Sequence, residues 1–125
     1  MATAPQSAIN GMRILMVEDE MMLAMSLEDL LKLLGCEVVK AARVAKAVKL
    51  AETESVDGAL LDVNLAGERV YPVAAELDRR GIPFVFMTGY DVDRLDSGYH
   101  GRPALQKPFQ MDDMVRVMAD AFARQ

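Results

Sequence analysis

The feature that most constrains this chain is a set of short apolar runs, each cut off by a polar residue. Residues 12–17 form one run, followed by Glu18 and Asp19. Residues 58–61 form another, ending at Asp62, and residues 84–87 a third, ending at Thr88. Between them, apolar residues recur at helical spacing. Leu23, Leu27, Leu30, Leu31 and Leu34 make one such stripe, with Gly35 as a fitting stop. Val44, Ala47, Val48 and Ala51 make a second, and Val70, Val73, Ala74 and Leu77 a third, stopped by Gly81 and Pro83. Met111, Met114, Val115, Met118 and Phe122 make the last, with Asp112 and Asp113 in a favourable first turn. Residues 36–41 and 103–106 predict two shorter strands, the latter ending at Lys107. Alternating strands and helices predict a parallel sheet covered on both faces. The unbroken runs agree, because central parallel strands are buried on both sides. Residues 89–102 carry Gly89, Gly98 and Gly101 and little periodicity, so any helix there is short. Residues 1–11 read as a flexible N-terminal tail and 12–125 as one domain.

A length of 125 residues suits a single domain with its own core. At 52% hydrophobic residues, general disorder is excluded. No apolar run is long enough to span a bilayer, and the first residues lack a signal-peptide pattern. Cys36 is the only cysteine, so no internal disulfide forms, which fits a reducing cytoplasm. The net charge is −5 with no basic stripe, which points away from nucleic acid.

The chemistry lies in where the polar residues fall. Glu18, Asp19, Asp62, Thr88 and Lys107 all sit at carboxyl ends of predicted strands, where open α/β sheets bind ligands. Three carboxylates in one crevice repel one another unless a cation sits among them. An oxygen-only ligand set suits Mg²⁺. Lys107 offers a point charge for a phosphate oxygen, and Thr88 a hydroxyl. A carboxylate nucleophile, a metal, a lysine and a hydroxyl are the parts that phosphoryl transfer requires. Each residue has a plainer reading alone: a helix N-terminal acidic cluster for Glu18, Asp19 and Glu20, a strand-end turn for Asp62, a solvated lysine for Lys107. Their ordered recurrence at strand ends favours the shared site.

Four segments carry a family resemblance: Val17-Glu18-Asp19-Glu20, Leu61-Asp62-Val63-Asn64, Met87-Thr88-Gly89 and Lys107-Pro108-Phe109. In this order, over residues 12–124, the chain resembles the receiver domain of two-component response regulators. The resemblance implies a doubly wound, five-stranded parallel α/β sheet of flavodoxin-like receiver fold, with strand order 2-1-3-4-5. It implies that Asp62 is the phosphoacceptor and that Thr88 and Lys107 bind the phosphoryl oxygens. It implies Mg²⁺ contacts from Asp19, Asp62 and the Asn64 carbonyl, with Glu18 acting nearby, and a cis Lys107–Pro108 peptide. The implied partners are a histidine kinase or histidine phosphotransferase and a downstream regulator protein, with no nucleic acid and no membrane. The implied activity is self-catalysed phosphoryl transfer and autodephosphorylation in the cytoplasm, not enzymatic turnover of other molecules.

Phe86-Met87-Thr88-Gly89-Tyr90 further resembles a Phe-Ala-Thr-Gly-Tyr-like subgroup of single-domain receivers, with Met87 in place of alanine. Ala104 stands where many receivers carry an aromatic switch residue, so Tyr90 becomes a candidate for part of that role. The loop after Asp62 lacks the common proline and reads Asn64-Leu65-Ala66-Gly67. Residues 89–102 are expected to be mobile at rest and to order on phosphorylation. The chain leaves no room for an attached output domain, so it reads as a stand-alone receiver or as part of a longer protein. Two other classes fit the fold. One is a phosphorylation-independent pseudo-receiver binding module. The other is an aspartyl phosphatase, against which Asn64 stands where a general acid is needed.

Overall fold

The computed structural model describes residues 5–89 and 95–123. The elements in chain order are α1 (Pro5–Ile9), β1 (Arg13–Val17), α2 (Met21–Leu33), β2 (Glu37–Ala41), α3 (Val44–Thr53) and β3 (Gly58–Asp62). There follow β4 (Asn64–Leu65), β5 (Glu68–Arg69), α4 (Tyr71–Arg79), β6 (Phe84–Thr88), a 3₁₀ turn at Ser97–Tyr99, β7 (Ala104–Gln106) and α5 (Met111–Phe122). The main sheet is parallel, in the order β2-β1-β3-β6-β7. With β4 and β5 set aside as a separate hairpin, this is the expected order 2-1-3-4-5.

Alternation along the strands divides the core into two layers. Leu15, Val17, Ala59, Leu61, Phe84 and Phe86 face Val44, Ala47 and Ala51 of α3 and Val73, Ala74 and Leu77 of α4. Ile14, Met16, Leu60, Val85 and Met87 face Leu27 and Leu31 of α2 and Met114, Met118 and Phe122 of α5. All ten residues of β3 and β6 are buried, which accounts for their unbroken apolar runs and leaves their polar ends inside the molecule. The helix ends follow local rules. The Glu20 carboxylate accepts from the Leu23 N–H at 3.2 Å and caps α2. Gly35, at φ +89°, turns the chain out of that helix into β2.

Two regions depart from the sequence expectation. Residues 5–9, assigned to a flexible tail, form α1, which packs on α5 with Ile9 fully buried. The Ile9 carbonyl accepts from the Met12 N–H and, at 3.2 Å, from the Cys36 thiol, while Asn10 Nδ2 donates to the Leu34 carbonyl at 3.0 Å. One turn of helix is too short to show periodicity, so only tertiary packing reveals it. The connection after Asp62 is not plain loop but the β4–β5 hairpin, turned by Ala66 at φ +51° and Gly67 at φ +88°. Two successive positive φ values are what a two-residue hairpin turn requires. Among the described residues of the 89–102 stretch, the helical structure is a short 3₁₀ turn at Ser97–Tyr99. Tyr90, and residues 90–94 of the stretch expected to be mobile, lie outside the described residues.

Candidate functional site

From β1 the chain runs to β2 on one side of the sheet and later to β3 on the other, so the topological switch point lies between β1 and β3. The strand register then dictates which side chains meet. Met16 pairs with Leu60 and Val17 with Leu61, so the next positions, Glu18 and Asp62, come out side by side. Asp62 in turn pairs with Met87, one residue before Thr88, and Thr88 pairs with Gln106, one residue before Lys107. The Lys107 N–H donates to the Thr88 carbonyl at 2.7 Å, which extends the ladder into the site. The Lys107–Pro108 peptide is cis.

At the carboxyl edge the polar atoms converge. Lys107 Nζ lies 2.9 Å from Glu18 Oε1 and 3.4 Å from Asp62 Oδ2. Glu18 Oε2 accepts from the Glu20 N–H at 3.0 Å. Asp62 Oδ1 faces the Asn64 N–H at 3.4 Å, a long contact. Carboxylate oxygens of Glu18, Asp19 and Asp62 come within 4.8 Å of one another. Thr88 is fully buried at the end of β6, on the side of the sheet that carries Phe84 and Phe86. Thus the structure gathers Glu18, Asp19, Asp62 and Lys107 directly. It places Asn64 by its backbone and Thr88 on the adjoining strand end.

Asn64 owes its position to the hairpin. The Val70 N–H donates to the Val63 carbonyl at 2.9 Å, which makes Asn64 and Arg69 the pair without mutual backbone bonds. The Asn64 N–H and carbonyl therefore both point away from Arg69, on the side where the N–H meets Asp62. Sequence reasoning missed one group here. The Ala66 N–H donates to Asp19 Oδ2 at 2.9 Å. No residue-type signal could have revealed it, because the donor is backbone.

The electrostatics are those of crowded carboxylates. Burial first, then repulsion from and hydrogen bonding to Glu18, raise the Asp62 pKa from 3.8 to about 7, against the opposing pull of Lys107 and the Asn64 N–H. For Lys107, burial works against the charge, but hydrogen bonding to Glu18 and attraction to Asp62 and Glu18 hold its pKa above the ordinary value. One ammonium, paired with two of the three carboxylates, leaves a deficit of positive charge. A divalent cation would remove it, and the oxygen-only donor set suits Mg²⁺.

The response regulator receiver domain model matches residues 14–119, most of the chain. This chain belongs to that family. It is 35% identical over 114 residues to the phyllosphere-induced regulator PhyR of Methylorubrum extorquens, covering 86% of this chain and 42% of that protein. The chain thus spans about half the length of the curated relatives it matches. Among solved structures, SdrG from Sphingomonas melonis Fr1 is 47% identical, with a TM-score of 0.77, covering 93% of this chain and 98% of that one. The receiver domain of the sensor histidine kinase PA1611 from Pseudomonas aeruginosa is 28% identical, with a TM-score of 0.78, covering 90% and 98%. That structure has a magnesium ion coordinated in its active-site cleft. Membership makes the chain a signal-transduction module of two-component type. Among the described residues, no helix is long and apolar enough to cross a membrane.

Proposed function

We propose that Asp62 accepts a phosphoryl group from a histidine kinase or histidine phosphotransferase in a Mg²⁺-dependent reaction. The observation that carries this reading is the placement of a buried carboxylate on a central strand end, 3.4 Å from Lys107 Nζ and beside two further carboxylates. Glu18, Asp19, Asp62 and the carbonyl of Asn64 would hold the Mg²⁺. The bound ion would neutralise negative charge on the carboxylates and on the incoming phosphoryl oxygens.

The chain's own groups supply the rest. An Asp62 carboxylate oxygen attacks phosphorus, the new O–P bond forms as the N–P bond of the donor's phosphohistidine breaks, and the electron pair stays on the imidazole nitrogen. Lys107, already within reach of both Glu18 and Asp62, turns its ammonium toward a phosphoryl oxygen. The Thr88 hydroxyl bonds a second phosphoryl oxygen. The β1 and β3 ends fix Asp62 against its neighbours, so the nucleophile is positioned before the donor arrives. The phosphorylated domain then signals through protein–protein contact with a downstream regulator, in the cytoplasm.

Incubation with acetyl phosphate, with and without chelator, tests the reading against its alternatives. Stoichiometric, Mg²⁺-dependent labelling is the expected result. Rapid turnover of general phosphate esters would indicate a phosphatase, and no labelling by small donor or kinase would indicate a pseudo-receiver.

A further inference from the structure

We propose that the backbone N–H of Ala66 is a positioning group for Asp19, presented by the β4–β5 hairpin. The proposal rests on the reading of Asp19 as a Mg²⁺ ligand. Lys107 pairs with Glu18 and Asp62, whereas Asp19 accepts the Ala66 N–H at 2.9 Å. The two residues are 47 apart in sequence, so this bond ties the end of β1 to the hairpin and is not a local cap.

The hairpin is built to aim that N–H. Ala66 adopts φ +51°, a conformation that L residues with a Cβ rarely take unless their surroundings impose it. What imposes it is a hairpin anchored in the core: Val63, Leu65 and Val70 are at most 1% exposed. A proline at this position would have no N–H to give and could not reach positive φ. A carboxylate offers about four acceptor directions over its two oxygens. Oδ2 can therefore hold the Ala66 N–H while the remaining positions face the cation. Fixing the carboxylate in advance removes the loss of rotamer freedom that metal binding otherwise entails, and groups that orient a metal ligand typically change affinity by about 10–100-fold.

The test is removal of one N–H. Ala66 is replaced in the 125-residue chain by its α-hydroxy analogue, which turns the amide into an ester and keeps the methyl group. Mg²⁺ affinity is measured by calorimetric titration, alone and in the Asp19→Asn background. The ester should bind Mg²⁺ about tenfold more weakly than the parent. Ala66→Gly, which keeps the N–H and adopts positive φ freely, should stay within about twofold of it. In the Asp19→Asn background the ester should change affinity by less than about twofold, because the group it positions is altered. Equal affinity of ester and parent overturns the proposal while leaving Asp19 as a ligand. Asp19→Asn with undiminished affinity overturns the metal reading, and the proposal with it.

Discussion

The charge balance of the site makes a counter-intuitive demand: removing the Asp62 carboxylate should stabilise the metal-free protein. The Asp62 side chain is 9% exposed, and its pKa rises from 3.8 to about 7 through burial and the neighbouring Glu18. Below pH about 4 the carboxyl is protonated in folded and unfolded chains alike and contributes nothing. As pH rises toward 7, the unfolded chain releases this proton and the folded one keeps it, so stability falls. Above pH 7 the folded site also ionises and the full cost is present. At about 1.4 kcal/mol per tenfold, a rise from 3.8 to about 7 amounts to about 4 kcal/mol. Asp62→Asn keeps the shape and removes the charge, but weakens the contacts to Lys107 and the Asn64 N–H. The net gain expected at pH 8 without Mg²⁺ is about 1–3 kcal/mol, or roughly 3–5 °C in melting midpoint per kcal/mol. The gain should shrink as pH is lowered toward 4. Adding Mg²⁺ should raise the midpoint of the parent more than that of the variant, because only the parent keeps all the carboxylates of the proposed ligand set. Thermal unfolding by circular dichroism across this pH range provides the assay. A variant no more stable than the parent at pH 8, or a gain independent of pH, would refute the reasoning.

Three further outcomes follow from the packing and the ligand set. Mg²⁺ should bind the unphosphorylated protein with a dissociation constant on the order of millimolar, since few protein ligands and several retained waters are involved, and Asp19→Asn should weaken that binding; phosphorylation undiminished in excess chelator would contradict the metal role. A Cβ at Gly58 would stand 2.7 Å from the ring of Phe122, so Gly58→Ala should cost about 1–3 kcal/mol in urea unfolding without changing Mg²⁺ affinity. Ile9→Ala should cost about 2–4 kcal/mol, whereas a mutation in a true tail would leave stability unchanged.

The architecture was legible because it rests on patterns that sequence displays directly. Runs buried on both faces cannot be other than apolar, and the stripes of α2, α3, α4 and α5 repeat for at least two turns. The site was legible for a related reason: Asp62, Thr88 and Lys107 interrupt those runs at their carboxyl ends, and register alone then brings Glu18 against Asp62. What escaped depends on backbone and tertiary context. The hairpin turn places Ala66 at positive φ, where residue preference argues against alanine. Its contact to Asp19 is made by an N–H that nearly every residue carries. Helix α1 exists because Ile9 finds a pocket against α5, not because its five residues favour helix strongly. The aromatic group of Tyr71, stacked on Tyr99 at 5.1 Å and edge-on to Phe86 at 5.9 Å, likewise joins residues from three separate segments. It fills the region beside Ala104, whose strand position pairs with Phe86.

The central claim is that Asp62 is where the phosphoryl group goes. Its most direct test is chemical mapping: phosphorylate the protein with acetyl phosphate or a phosphorylated kinase in Mg²⁺, reduce the acyl phosphate with borohydride, and locate the product by peptide mass spectrometry. Reduction should convert residue 62, and no other, to homoserine, and Asp62→Asn should yield none. Homoserine at Asp19 or elsewhere, or labelling retained in Asp62→Asn, would contradict the account.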